Sequence, residues 1–278
     1  MRVLLALPPD IHTLEIYRSL GLKAPPLGLA YIAAILERAG HKVRILDSPT
    51  LEVTTSDFIR EVKSWGPDVV GLSVLTPTAP KAYRAIRLIK ELYPHLPVVV
   101  GGPHPTFMYE EALKMGADVV VLGEGELTSL ELMNTIEEHG LNVDALERVR
   151  GIAFLKEGRP VITSPRPLIR DLDSIPWPAR HLLPMERYTL FNKPIKAAHI
   201  MASRGCPYGC AFCSTSYFWG RKARIRAPNK VADEIEYVVD KYGAKYIVFT
   251  DDELTISRRF VEGLLHELKA RGLDIMFA

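Results

Sequence analysis

Cys206, Cys210 and Cys213 are the only cysteines in the sequence, spaced C-x3-C-x2-C within eight positions. Thiols grouped this closely in a reducing compartment point to metal binding more than to disulfides. Gly205, Pro207 and Gly209 are interleaved with them, so the segment should curl as a loop whose amides face an anionic centre. An electron-carrying cubane ordinarily takes four cysteines, and a structural zinc site takes four ligands. Three thiolates on a [4Fe-4S] cube leave one iron open to an external ligand, and an open iron implies chemistry. A Cys3His zinc site would need a histidine such as His199, seven residues upstream. Three buried cysteines packed as small hydrophobes are the remaining alternative.

Such a loop has to be held by regular elements, and the chain supplies two runs of them. From Arg2 to about Ile136 short β-branched runs alternate with amphipathic stretches. Strands are expected over 3–7, 42–46, 69–74, 98–100 and 119–122, and helices over 27–39, 56–65, 79–92, 109–114 and 127–138. Gly40, Gly66-Pro67, Pro94 and Gly116 end helices shortly before strands. The pattern predicts an α/β fold: a doubly wound, Rossmann-like parallel sheet with helices on both faces. Ligands of such folds sit outside the carboxyl ends of the strands. The loops there are Pro8-Pro9-Asp10, Ser73-Val74-Leu75-Thr76-Pro77-Thr78, Gly101-Gly102-Pro103-His104-Pro105-Thr106 and Gly123-Glu124-Gly125-Glu126. Glycine lets a backbone approach a flat or bulky ligand, and small hydroxyls add hydrogen bonds. On the residues alone, the same glycines and prolines serve equally as turn formers.

Residues 151–154 and 159–163 flank Lys156-Glu157-Gly158 and predict a small hairpin. A connector with Pro165, Pro167, Pro176, Pro178 and Pro184 follows, and its Ile175, Trp177, Leu182 and Leu183 should pack against a surface. A second α/β run begins near Ala197, with strand 198–202, the cysteine loop, helix 231–242, strand 246–249, helix 257–271 and strand 273–277. The expected division is a Rossmann-like domain over 1–140, a hairpin and proline-rich linker over 141–195, and a second α/β unit over 196–278. The 278 residues are 47% hydrophobic and 24% charged with net charge +2. That balance excludes disorder and gives no composition-level case for nucleic acid or an anionic membrane as partner. No apolar run approaches the roughly 20 residues of a spanning helix, and the start has too short an apolar stretch for a secretory segment. The expectation is a cytoplasmic protein with no transmembrane segment.

The loop Arg204-Gly205-Cys206-Pro207-Tyr208-Gly209-Cys210-Ala211-Phe212-Cys213 resembles that of the radical S-adenosylmethionine (SAM) superfamily. The resemblance implies that Cys206, Cys210 and Cys213 ligate a [4Fe-4S] cluster whose fourth iron is chelated by SAM, with Phe212 beside the adenine. Reductive cleavage of SAM then gives methionine and a 5′-deoxyadenosyl radical that abstracts hydrogen from substrate. It also implies a partial (β/α)6 barrel, with the loop at the carboxyl end of a strand. Asp251, Asp252 and Glu253 stand after the next strand, where the family has polar contacts to SAM; acids there also suit the start of a helix. Arg221, Lys222, Arg224 and Arg226 form a run of four cations. Of these, Arg226 is the expected contact to the SAM carboxylate or an anionic substrate.

The first domain resembles the cobalamin-binding domain of the B12-dependent radical SAM branch. Ser73-Val74-Leu75 fits an S-x-L motif and Gly101-Gly102 a G-G motif, with 25 residues between Leu75 and Gly101. Gly123-Glu124-Gly125-Glu126, Pro25-Pro26-Leu27-Gly28-Leu29 and Ile175-Pro176-Trp177-Pro178 are similar to that branch as well. The implied cobalamin contacts are Ser73, Leu75, Thr76, Gly101, Gly102, His104, Gly123 and Glu124. Asp10-Ile11-His12-Thr13-Leu14-Glu15 lacks the glycine of the D-x-H-x-x-G motif, so the corrin is expected without His12 as cobalt ligand. The activity implied is methylation of an unactivated carbon or a phosphinate of a small-molecule, lipid or tetrapyrrole-like substrate. Cyclisation or rearrangement belongs to the same branch, and the implied partner is an electron donor such as flavodoxin or ferredoxin. The alternatives are a radical SAM enzyme whose first domain no longer binds cobalamin, and a non-catalytic iron–sulfur or corrinoid-binding protein. A complete barrel of this kind needs about six βα units, so the sequence reads as truncated within it, with substrate-binding residues beyond Ala278.

Overall fold

Valine-rich runs set the first sheet. Strands β1 (Arg2–Ala6), β2 (Lys42–Leu46), β3 (Val69–Ser73), β4 (Val98–Gly101) and β5 (Val119–Val121) pair in parallel. Strands β6 (Ile152–Lys156) and β7 (Arg159–Ile162) join antiparallel, giving the order β2-β1-β3-β4-β5-β6-β7. This computed structural model describes residues 1–15, 19, 21, 23–190, 193–194 and 196–277.

Helices α1 (Leu27–Arg38), α2 (Thr55–Trp65), α3 (Ala79–Leu92), α4 (Tyr109–Lys114) and α5 (Glu126–His139) cover the sheet on both faces. The period-2 alternation of a strand divides the core between them. Val3 and Leu5 of β1 pack with Leu29 and Ala33 of α1 and Met133 of α5, whereas Leu4 and Ala6 pack with Phe58 of α2, Ile86 of α3 and Leu113 of α4. Helix α2 starts in a capping box between Thr54 and Asp57 and stops at Gly66, whose φ of 59° suits glycine.

The hairpin departs from its expected place in a linker. Ile152, Ala153 and Phe154 pair with Val121, Val120 and Val119, so the first sheet runs on to Ile162. The reason is the edge: three buried valines of β5 would otherwise end the sheet with unpaired backbone groups. The connector beyond it packs as expected. The Ala179 amide donates to the Ala30 carbonyl of α1 at 2.9 Å, and Ala179, Leu183 and Tyr188 enter the first core.

A smaller parallel sheet follows, built from β8 (Ala197–Ile200), β11 (Tyr246–Phe249) and β12 (Met276–Phe277), with an antiparallel pair β9 (Ser203–Arg204) and β10 (Arg224–Ile225) beside it. Helices α6 (Pro228–Tyr242) and α7 (Arg258–Ala270) cover it through Val231, Ile235, Phe260 and Leu264. Its first and last strands are shorter than expected. Among the described residues no helix is long and apolar enough to cross a membrane.

Candidate functional site

The parallel strands of the first sheet deliver their glycine-bearing loops to one rim. At that rim a cavity of about 390 Å³ opens between the two units. Leu5, Leu72 and Val99 reach it from the sheet, Leu29 and Met133 from α1 and α5, and Met201, Arg204, Phe218, Trp219 and Thr250 from the second unit. Four sequence-predicted residues line it: Ser73, Gly101, Gly102 and Gly123. Gly102 has φ +101°, and a Cβ there would stand 3.0 Å from the Val74 carbonyl oxygen, so only glycine fits. A Cβ on Gly28 or Gly123 would meet nothing within 4 Å. Both positions therefore leave room for a ligand against bare backbone, and the lining is mostly apolar, as the body of a large organic cofactor requires.

Leu75, Thr76, His104 and Glu124 fall outside the lining. Leu75 is 42% exposed. His104 is buried, with Tyr83 Oη 2.9 Å from Nε2 and Thr76 Oγ1 3.3 Å from Nδ1, so both ring nitrogens have protein partners. Glu124 is buried and accepts from Arg204, Arg224 and the Ile169 amide. His12 lies in the turn Ile11–Thr13, which packs on the short helix Ser48–Leu51, and is not part of the lining.

The cysteine loop leaves β9 on the second unit's side of this cavity. Gly205 has φ +90°, and a Cβ there would stand 2.6 Å from the Lys222 carbonyl oxygen. Asp251 braces the approach to the loop, accepting from the Ala202 amide at 3.1 Å and Ser203 Oγ at 2.6 Å. Asp252 braces the loop itself, accepting from the Gly205 amide and Thr215 Oγ1, both at 3.3 Å. Burial raises the pKa of both carboxyls above the usual range, against hydrogen bonds that lower it. Glu253 accepts from the Thr255 amide at 3.1 Å and caps the turn Leu254–Ile256.

The three thiols are free; Cys206 and Cys213 are half-buried and Cys210 is exposed. Phe212 is 93% exposed. Among the described residues no three His, Cys, Asp or Glu side chains stand close enough together to hold a metal ion. The donor set nevertheless suits an iron–sulfur cube: three soft ligands outside any disulfide on one glycine-rich loop.

Arg226 is a correction. Its guanidinium is buried and donates to Asp173 Oδ1 at 3.0 Å, Glu234 Oε2 at 2.5 Å and the Met201 carbonyl at 3.1 Å. A buried cation needs such partners, and these commit it to bracing the strap and α6, not to holding an external carboxylate. Sequence reasoning also missed Tyr31, Met133, Phe218 and Trp219, which line the cavity. Phe218 and Trp219 had a signal, two large aromatics just after the last cysteine; Tyr31 and Met133 look like ordinary helix core.

The comparisons decide what the arrangement belongs to. Residues 16–133 match the B12 binding domain and residues 200–278 the radical SAM superfamily. The chain is a B12-binding radical SAM protein. The resemblance read from the cysteine loop, Ser73-Val74-Leu75 and Gly101-Gly102 is borne out, as is the fold class. This B12-binding radical SAM protein is 36% identical over 277 residues to an uncharacterized methyltransferase of Pyrococcus horikoshii, covering 99% of this chain and 58% of that one. It is 35% identical to the anaerobic magnesium-protoporphyrin IX monomethyl ester cyclase of Rubrivivax gelatinosus, covering 91% of this chain and 46% of that one. The solved structure of the radical SAM methyltransferase TsrM from Kitasatospora setae, with cobalamin and a [4Fe-4S] cluster bound, shares its fold. The TM-score is 0.74 at 22% identity, covering 97% of this chain and 51% of that one. The chain thus spans about half the length of the curated relatives it matches.

Proposed function

We propose that the chain forms the cofactor-binding part of a cytoplasmic radical SAM enzyme that methylates an unactivated carbon or a phosphinate of a small-molecule, lipid or tetrapyrrole-like substrate. When bound, the [4Fe-4S] cluster with SAM supplies reductive cleavage of a carbon–sulfur bond, and cobalamin supplies methyl transfer. The observation that carries the reading is the shared cavity. Ser73, Gly101, Gly102 and Gly123 line one side of it and Met201, Arg204, Trp219 and Thr250 the other, so one ligand would touch both units.

Cys206, Cys210 and Cys213 would hold the cluster, with Phe212, Asp251, Asp252 and Glu253 around SAM. The cavity of about 390 Å³ would take part of a cobalamin, with Gly28 and Gly123 leaving it room against bare backbone. Both ring nitrogens of His104 are engaged and His12 is away from the lining, so neither of these two histidines would hold the group. The chain's own work is positioning and exclusion of water. The exposed outer part of the loop, where Tyr208 is 61% accessible, is the approach for an electron donor such as flavodoxin or ferredoxin. Cyclisation is the second reading, favoured by the 35% identity to a protein named as a cyclase.

Hydroxocobalamin titration of the anaerobically purified protein tests the cavity. One equivalent is expected to bind. Gly28→Phe adds a ring to the cavity lining from a helical position without backbone strain, and should weaken binding at least about tenfold with an unchanged circular dichroism spectrum. Absence of binding to the unmodified protein, or full affinity in the variant, contradicts the assignment.

A further inference from the structure

Arg204 immediately precedes the cysteine loop and is 2% exposed, although it belongs to the second unit and spends its charge on the first. Its Nη1 donates to Glu124 Oε1 at 3.1 Å and its Nη2 to Glu126 Oε1. Both acids come from the loop and helix start after β5. The guanidinium also lies over two rings, 5.5 Å from the centroid of Tyr31 on α1 and 5.0 Å from that of Trp219 beyond the cysteines. Arg204, Tyr31, Glu126 and Trp219 all line the cavity. Only Gly205 separates Arg204 from Cys206, and Gly205 has no slack: its amide is held by Asp252, and the Lys222 carbonyl lies 2.6 Å from where a Cβ would be. The backbone between Arg204 and Cys206 is therefore a single, tightly held residue.

We propose that Arg204 is a positioning residue that couples filling of the cavity to the geometry of the cysteine loop. The inference rests on the cofactor reading above. A ligand that presses on Tyr31, Trp219 or Glu126 sets the guanidinium, and the guanidinium sets the first thiol. Nε is buried without a hydrogen-bond partner, so no third bond resists that movement. Arginine is required because its flat fork donates to two carboxylates in its plane and offers its faces to two rings, which a lysine ammonium cannot do. Coupling of this kind is reciprocal: whatever orders the loop also tightens the cavity.

The test is the affinity for hydroxocobalamin measured by anaerobic equilibrium dialysis on the full protein, with the iron–sulfur cluster reconstituted and after its removal by chelation. The affinity ratio is expected to be about fivefold or more in favour of the cluster-loaded form. Arg204→Lys should bring it to about one. Glu126→Gln, which leaves Glu124 in place, should lower it partially, and it carries the test if the lysine variant does not fold. A ratio of one in the unmodified protein, or an undiminished ratio in the folded variants, overturns the coupling while leaving cobalamin binding intact. Failure of hydroxocobalamin to bind either form overturns the cofactor reading itself.

Discussion

Asp47 follows β2 with its carboxyl buried, and burial pushes its pKa up to about 6 against a hydrogen bond from the Thr50 amide. Its folded pKa thus lies above that of an ordinary aspartate. The contribution to stability is therefore fully present below about pH 4 and is lost as pH rises through 6. At pH 8 the ionised group opposes folding by about 2–3 kcal/mol. Asparagine also caps a helix, so Asp47→Asn is expected to raise the urea midpoint at pH 8 and leave it nearly unchanged at pH 4. An equal effect at both values contradicts that origin. The same contrast between charge and surroundings limits what single residues reveal. The cysteines were legible because their spacing is itself the chemistry. Arg226 was not, because a run of cations looks alike whether it faces solvent, a ligand or, as here, Asp173 and Glu234.

At the scale of elements, β2, α3, α4 and β11 fall on the expected residues, since each has clear periodicity and a strong stop. The hairpin was recognised but assigned to the linker, although Ile152-Ala153-Phe154 is a continuous apolar run. Such a run marks a strand covered on both faces, whereas a free hairpin alternates. Phe154 is 1% exposed in the core shared by α1 and α5. Phe154→Ala should cost about 3–5 kcal/mol in reversible denaturation of the protein. A loss below about 1 kcal/mol, the scale of a half-exposed hairpin position, would return the hairpin to the linker.

Across the whole molecule, the cavity joins residues as far apart in sequence as Val3 and Thr250, and no local pattern announces that Tyr31, Arg204 and Trp219 meet. Buried ion pairs make the seam: Arg204 with Glu124 and Glu126, and Arg180 of the strap with Glu234 at 2.6 Å. The central claim concerns the three thiols of the loop that begins just after Arg204. It is tested most directly by iron and sulfide analysis of the anaerobically reconstituted protein, with electron paramagnetic resonance of the reduced form before and after addition of SAM. The account expects about four iron and four sulfide per chain, a spectrum changed by SAM, and loss of the cluster in Cys213→Ser. Zinc in place of iron, a spectrum indifferent to SAM, or a full cluster in Cys213→Ser would contradict it.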